Sequence, residues 1–227
     1  MLTKALKGLS RCMLCHTGTV GEPLCPGCYQ DLPRLGPFCS SCSLPLPAPG
    51  LCGQCGRSRP AFDRVIAVFP YRYPVDSMIQ DLKYRSRLQW LRLFAGELAG
   101  RVLADGGALP DRLVPVPQHW LRRCGRGFNQ ALEIAREVGR NLGIPVNDRL
   151  LRRVRFSAAQ TRLGAAERAR NVRHSFRMEA PKCVGLRAAI VDDVVTTGAT
   201  VEELARVLKR AGAADVAVWA IARAARP

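Results

Sequence analysis

The chain predicts an α/β fold, a mainly parallel sheet with helices on both faces, preceded by a small cysteine-rich module. Three observations carry that expectation. After residue 60, short apolar runs alternate with segments whose apolar residues recur every three or four positions, the pattern of strands followed by helices. Near the end, Ala188, Ala189, Ile190 and Val191 lead into two adjacent carboxylates, a loop of small residues, and then Val201, Leu204, Leu208 and Ala211 at helical spacing. Ahead of all this, eight of the 10 cysteines stand between positions 12 and 55 as four Cys-x-x-Cys pairs.

The pairs are Cys12/Cys15, Cys25/Cys28, Cys39/Cys42 and Cys52/Cys55, and a shift of 27 positions carries the first four cysteines onto the second four. That is an internal repeat. Two thiolates three positions apart can face one tetrahedral ion, and two such pairs complete a four-thiolate zinc site. The stretch is rich in Pro and Gly and poor in large apolar residues, so its folding is expected to depend on structural zinc. Three ligation schemes fit the spacing: one ion per repeat, pairs interleaved across repeats, or a single zinc with leftover thiols. Cys25-Pro26-Gly27-Cys28 has the outline of a redox dithiol, but such a motif opens a helix after a strand, whereas here four pairs crowd a loop-rich stretch. Cys124 and Cys183 lie outside the repeat and read as plain thiols. The expected division is a zinc-binding module over residues 1–60 and an α/β domain over 61–227.

In the second region, residues 65–69 read as a strand, followed by a short extended piece between Pro70 and Pro74. Residues 76–84 predict a helix with Met78, Ile79 and Leu82 on one face. Leu88, Leu91, Phe94 or Ala95, Leu98 and Val102 mark a longer one, ended by Asp105-Gly106-Gly107. Residues 113–117 predict a buried strand, 128–142 a helix stopped by Gly143, and 144–146 a weak strand. The arginine-rich stretch 157–173 predicts a mobile loop and a short helix. Strand 187–191, helix 200–211, a stop at Gly212 and strand 216–221 complete the order.

The chemistry concentrates after strand 187–191. Thr197, Gly198 and Thr200 put backbone N–H groups and two hydroxyls at a helix N-terminus, a ready phosphate site. Asp192 and Asp193 would repel that phosphate but suit the hydroxyls of a ribose, or magnesium. In parallel sheets ligands gather at the carboxyl ends of strands, where this pair would lie. The plainer alternative is an ordinary threonine-capped strand-to-helix turn. A second constellation, Pro117 followed by His119, Arg122, Arg123 and Arg126 and then Gly127-Phe128-Asn129-Gln130, reads as an anion-binding loop before a helix.

The string from Ile190 to Thr200 resembles the phosphoribosyl-pyrophosphate (PRPP) motif of type I phosphoribosyltransferases. By that resemblance Asp192 and Asp193 hold the ribose, Thr196 through Thr200 wrap the 5′-phosphate, and Pro117, Arg122, Arg123 and Arg126 hold pyrophosphate. Together with the multi-cysteine module, Leu82-Lys83-Tyr84, Ala159-Gln160-Thr161 and Glu167-Arg168-Ala169-Arg170-Asn171, the order resembles the ComF family, especially its GntX-like members. The resemblance implies a double zinc ribbon joined to a phosphoribosyltransferase fold, magnesium with PRPP, and a link to DNA uptake (competence) or DNA use. It implies transfer of phosphoribose to an unidentified acceptor. The alternative is a non-catalytic PRPP sensor that binds single-stranded DNA or works beside DNA-uptake proteins. Residues 157–173 are the candidate lid, with Gln160 and Arg162 in it, and Lys83 is the lysine that could reach the site, although on an amphipathic helix it also fits a snorkelling surface residue. Purine-salvage relatives of the motif carry an acid where Thr196 stands, which counts against a purine acceptor.

The net charge of +17 points to a polyanionic partner or substrate. Residues 120–177 hold 14 arginines against four acidic residues, +10 of that total. No apolar run approaches the ~18 residues of a membrane span, and no apolar signal segment follows Met1. Cytoplasmic residence without membrane insertion is the expectation.

Overall fold

The molecule is organised around strands whose alternate residues feed two separate cores. The structure, a computed structural model, describes residues 9–85, 87–118, 128–154, 172, 174–179 and 183–225. In order these form β1 (Leu9–Arg11), β2 (Gly18–Val20), α1 (Pro26–Gln30), α2 (Gly53–Arg57), β3 (Arg64–Pro70), α3 (Val75–Arg85), α4 (Gln89–Asp105) and β4 (Arg112–Pro115). Then come α5 (Gln130–Leu142), β5 (Leu151–Arg153), β6 (Phe176–Met178), β7 (Arg187–Val195), α6 (Ala199–Arg210) and β8 (Asp215–Arg223).

The main sheet has the order β3-β8-β7-β4 and every pairing in it is parallel. Ile66, Val191, Trp219 and Ile221 share one core with Met78 and Leu82 of α3, Phe94 and Leu98 of α4, and Ile134 of α5. Val65, Ile190, Val218 and Ala220 share the other with Val201, Leu204 and Leu208 of α6. Helices therefore cover both faces, as the alternation of strand and helix patterns predicts. Because the strands run parallel, the ends of β3, β8, β7 and β4 open on the same edge.

Several elements differ from their predicted extents. β7 continues four residues beyond Val191, pairing Asp192 and Val194 with Ala220 and Ala222 of β8. Asp192 and Asp193 thus sit in the strand rather than in a turn, because Val194 and Val195 extend naturally against a long partner. α5 begins at Gln130, not Phe128: the Asn129 side chain accepts from the Ala131 N–H and caps the helix. The weak strand at 144–146 reduces to one bridge, Leu113 with Val146, flanked by Leu113 N–H to Pro145 O and Asn147 N–H to Leu113 O. Pro145 has no N–H with which to extend a ladder. Between Pro70 and Pro74 the chain turns instead of forming a strand. The hairpin β1–β2 and the pair β5–β6 are too short to show a period in sequence.

The cysteine-rich region packs against the sheet at two places. Cys12, Leu24 and Leu32 join the core that contains Phe69 and Phe94. Residues 41–43 cover the outer edge of β3: the Ser43 hydroxyl donates to Val65 O at 2.6 Å and the Val65 N–H donates to Ser41 O at 2.9 Å.

Candidate functional site

The eight cysteines form two clusters, Cys12/Cys15/Cys25/Cys28 and Cys39/Cys42/Cys52/Cys55, each with its sulfurs within 4.8 Å of one another. Each 27-residue repeat closes its own site, which selects one of the three ligation schemes. Four thiols converging on one point, unlinked by disulfides, fit a tetrahedral zinc site with four thiolate ligands. Burial by itself would raise the Cys12 and Cys39 thiols, but backbone N–H groups aimed at each sulfur outweigh it and hold both at about 6. For Cys39 one of those donors is the Cys52 N–H at 3.3 Å. The same device recurs in both repeats and favours the thiolate that a metal needs. Cys25-Pro26-Gly27-Cys28 does open a helix, but one of five residues, with Cys25 Sγ 3.6 Å from Cys15 Sγ; its sulfurs belong to the first cluster.

A second constellation stands at the carboxyl ends of the parallel strands. Lys83, in the last turn of α3, reaches the acidic pair: its ammonium lies 2.7 Å from Asp193 Oδ2, with the side chains 21% and 13% exposed. The structure therefore turns Lys83 into the site and not out to solvent. Burial works against the Lys83 charge, but the Asp193 carboxylate outweighs it and holds the ammonium above the ordinary lysine value. Asp192 behaves differently. Desolvation, reinforced by the Asp193 charge and opposed by Lys83, pushes its carboxyl up to about 8. The Asp193 N–H donates to Asp192 Oδ1 at 2.9 Å, tying the two side by side.

β7 then gives way to the small-residue loop. Gly198 adopts φ +82°, a left-handed conformation that suits glycine, and caps α6. Thr196 is exposed, while Thr197, Gly198, Ala199 and Thr200 are half-buried. The Thr197 hydroxyl accepts from the Ala199 N–H at 3.4 Å. From β4, Pro117 lies half-buried at the same edge. Its neighbour Gln118 donates to Gln130 Oε1 at 2.7 Å, and Gln130, fully buried, donates to Lys83 O at 3.4 Å. Asn129 donates to Val116 O at 3.1 Å. This amide chain fastens the end of α3 to β4 and α5.

Asp192, Asp193, Lys83, Pro117 and the 196–200 loop are thus brought to one edge of the sheet. Arg122, Arg123, Arg126, His119 and Cys124 lie outside the described residues, as do Gln160, Arg162 and nearly all of the candidate lid. His174 is described and exposed, its backbone N–H donating to Glu203 Oε1 at 2.9 Å. Cys183 is buried, with its thiol raised by that burial. Sequence reasoning missed Gln118 and Arg223, the latter a fully buried arginine at the end of β8.

Known proteins resemble this chain along most of its length. The double zinc ribbon domain family matches residues 10–56. DNA utilization protein YhgH of Salmonella typhimurium is 38% identical over 205 residues, 88% of this chain and 90% of that protein. Competence protein F of Haemophilus influenzae is 30% identical over 226 residues, 94% of this chain and 97% of that protein. Among solved structures, a purine phosphoribosyltransferase from Pyrococcus horikoshii aligns with 59% of this chain and 74% of its own at 21% identity and TM-score 0.37. No helix among the described residues is long and apolar enough to cross a membrane.

Proposed function

Because the chain belongs to the family of competence protein F and DNA utilization protein YhgH, we propose that it serves DNA uptake or DNA use through a PRPP site, transferring phosphoribose to a nitrogen acceptor. The observation that carries this reading is the run from Asp192 to Thr200, with Lys83 on Asp193 and Gly198 opening α6. The Asp193 carboxylate and the Asp192 carboxyl accept hydrogen bonds from adjacent ribose hydroxyls. The amides and hydroxyls of residues 197–200 receive the 5′-phosphate, favoured by the helix N-terminus. Lys83, paired with Asp193, adds a positive charge that offsets the repulsion the acidic pair would otherwise exert on the ligand's phosphates.

In the reaction, the acceptor nitrogen bonds to the anomeric carbon as the bond from that carbon to the pyrophosphate oxygen breaks, and the acceptor's proton passes to solvent. Arg122, Arg123 and Arg126 are assigned to the departing pyrophosphate. Gln160 and Arg162, in the 157–173 segment, are assigned to covering the site. Magnesium, carried with the pyrophosphate and met by the hard carboxylate oxygens of Asp192 and Asp193, would supply further charge neutralisation.

Calorimetric titration of PRPP into the zinc-loaded protein, with and without magnesium, tests the site. Magnesium-dependent binding in the wild type that is weakened at least ~10-fold by Asp193→Asn is expected, the loss of a charged hydrogen-bond partner. Equal affinity in the two proteins would remove the acidic pair from the site. A second reading, direct contact with single-stranded DNA, is favoured by the net +10 of residues 120–177. Its mark is an affinity that falls steeply with salt and is indifferent to Asp193→Asn.

A further inference from the structure

Arg223 is 1% exposed at the end of β8. Its Nε donates to Cys42 O at 2.9 Å, within the second cysteine cluster. Its Nη1 donates to Val195 O and Ala224 O, each at 2.9 Å, and to Thr196 O. One planar guanidinium therefore joins a metal-binding unit to the two peptide carbonyls that lead into the phosphate loop.

Carbonyls of successive residues in a strand point to opposite sides. Those of Val195 and Thr196 instead meet on a single nitrogen. In a trans peptide the N–H points opposite its carbonyl, so holding these two oxygens turns the Thr196 and Thr197 N–H groups away from Arg223. Successive N–H groups directed alike form an anion-binding concavity. The far side of the loop is tied to the same region: Glu202, in the first turn of α6, accepts from the Ala61 N–H at 2.9 Å, just past the cysteine repeats. The loop is thus bracketed by two bonds to the cysteine-rich region and its exit. Only arginine supplies the first, because a lysine ammonium is a point donor that cannot span Cys42 on one side and Val195 and Thr196 on the other.

We propose that Arg223 is a positioning residue for the phosphate loop, coupling the second four-cysteine unit to sugar-phosphate binding. The proposal rests on the PRPP reading of the site. The test compares zinc-loaded wild type, Arg223→Met and Arg223→Lys in three measurements: zinc content, affinity for ribose 5-phosphate and PRPP, and affinity for magnesium pyrophosphate, which lacks a 5′-phosphate. Zinc content and pyrophosphate affinity are expected to hold while both sugar-phosphate affinities fall about tenfold or more, the result of losing preorganisation. Folded variants with unchanged sugar-phosphate affinity overturn the proposal alone. Wild type without affinity for either sugar phosphate overturns the PRPP reading, and the proposal with it. Should the variants not fold, ribose 5-phosphate titrated into ¹⁵N-labelled wild type decides: shifts at the Ser43 amide, which shares a peptide with the Cys42 carbonyl, accompany those at Thr197 and Gly198 if the clamp transmits. A silent Ser43 overturns it.

Discussion

Asp192 and Asp193 adjoin in sequence but face different electrostatics, and the difference has a pH signature. Lys83 pairs with Asp193, whereas Asp192 is pushed up to about 8 by desolvation and by its neighbour's charge. A carboxyl raised on folding stabilises the native state fully below the ordinary carboxylate range, and that contribution is lost as pH rises through about 8. Urea unfolding of the wild type should therefore lose about 2–3 kcal/mol more between pH 6 and 8.5 than that of Asp192→Asn, whose amide does not titrate. Parallel pH slopes would mean that Asp192 is already ionised at about pH 6. Lys83→Met should cost about 1–3 kcal/mol by stranding a mostly buried carboxylate, seen as a lower urea midpoint. The acidic pair was legible in sequence because its string is ordered and rare. Lys83 was legible only as one of two readings, since it adjoins the Val75, Met78, Ile79 and Leu82 stripe, a boundary from which a long side chain can turn either way. Arg223 was less legible still: an arginine closing an apolar strand looks like a terminator, and its partners are main-chain oxygens up to 181 positions away.

At the level of elements, helix type and order were readable from period and caps, while strand ends were set by partners that one segment's sequence does not contain. β7 and β8 lengthen together because each supplies the other's hydrogen bonds. Close packing between elements is equally invisible to local pattern, and α5 offers a test. Gly139 lies where an added Cβ would stand 2.6 Å from Ile144 O and 3.2 Å from Val146 Cγ2. Alanine is better than glycine in a helix by about 1 kcal/mol, yet here the backbone oxygen of the following turn blocks it. Gly139→Ala should lower stability by about 1–3 kcal/mol, read from the thermal midpoint; a stabilised variant would refute the close approach. The cysteine repeats also part company at this scale. Cys39, Cys42, Cys52 and Cys55 are all buried, whereas Cys15 is exposed and Cys25 and Cys28 are half-buried. Under a limiting chelator, zinc should leave the first unit before the second. Single replacements Cys15→Ser and Cys55→Ser, each followed by metal analysis, assign the two steps, and simultaneous loss from both units would contradict independent sites.

For the whole molecule, the second cysteine unit is placed to do more than hold an ion, because it caps the outer edge of β3 at Val65. β3 hydrogen-bonds to β8 on one side, and on the other its Val65 peptide is occupied by Ser41 and Ser43. The β3 sequence, Arg64-Val65-Ile66-Ala67-Val68-Phe69-Pro70, carries five apolar residues in a row and no charge between its ends. Strands of that kind, once uncovered, pair with other chains. A stretch of the composition seen over residues 39–55 cannot bury enough apolar surface to stay folded without its metal. Stripping both zincs under reducing conditions should therefore do two things at once. It should release the Cys42 anchor of Arg223, and it should open the β3 edge to a second molecule. Light scattering and the infrared band of intermolecular β-structure should rise together on chelation, in proportion to protein concentration. Zinc added before large aggregates form should reverse both. A stripped protein that stays monodisperse, with its sheet signal unchanged, would show that β3 is protected by the helices and the remaining core alone, and that the contacts at Val65 do not guard its edge.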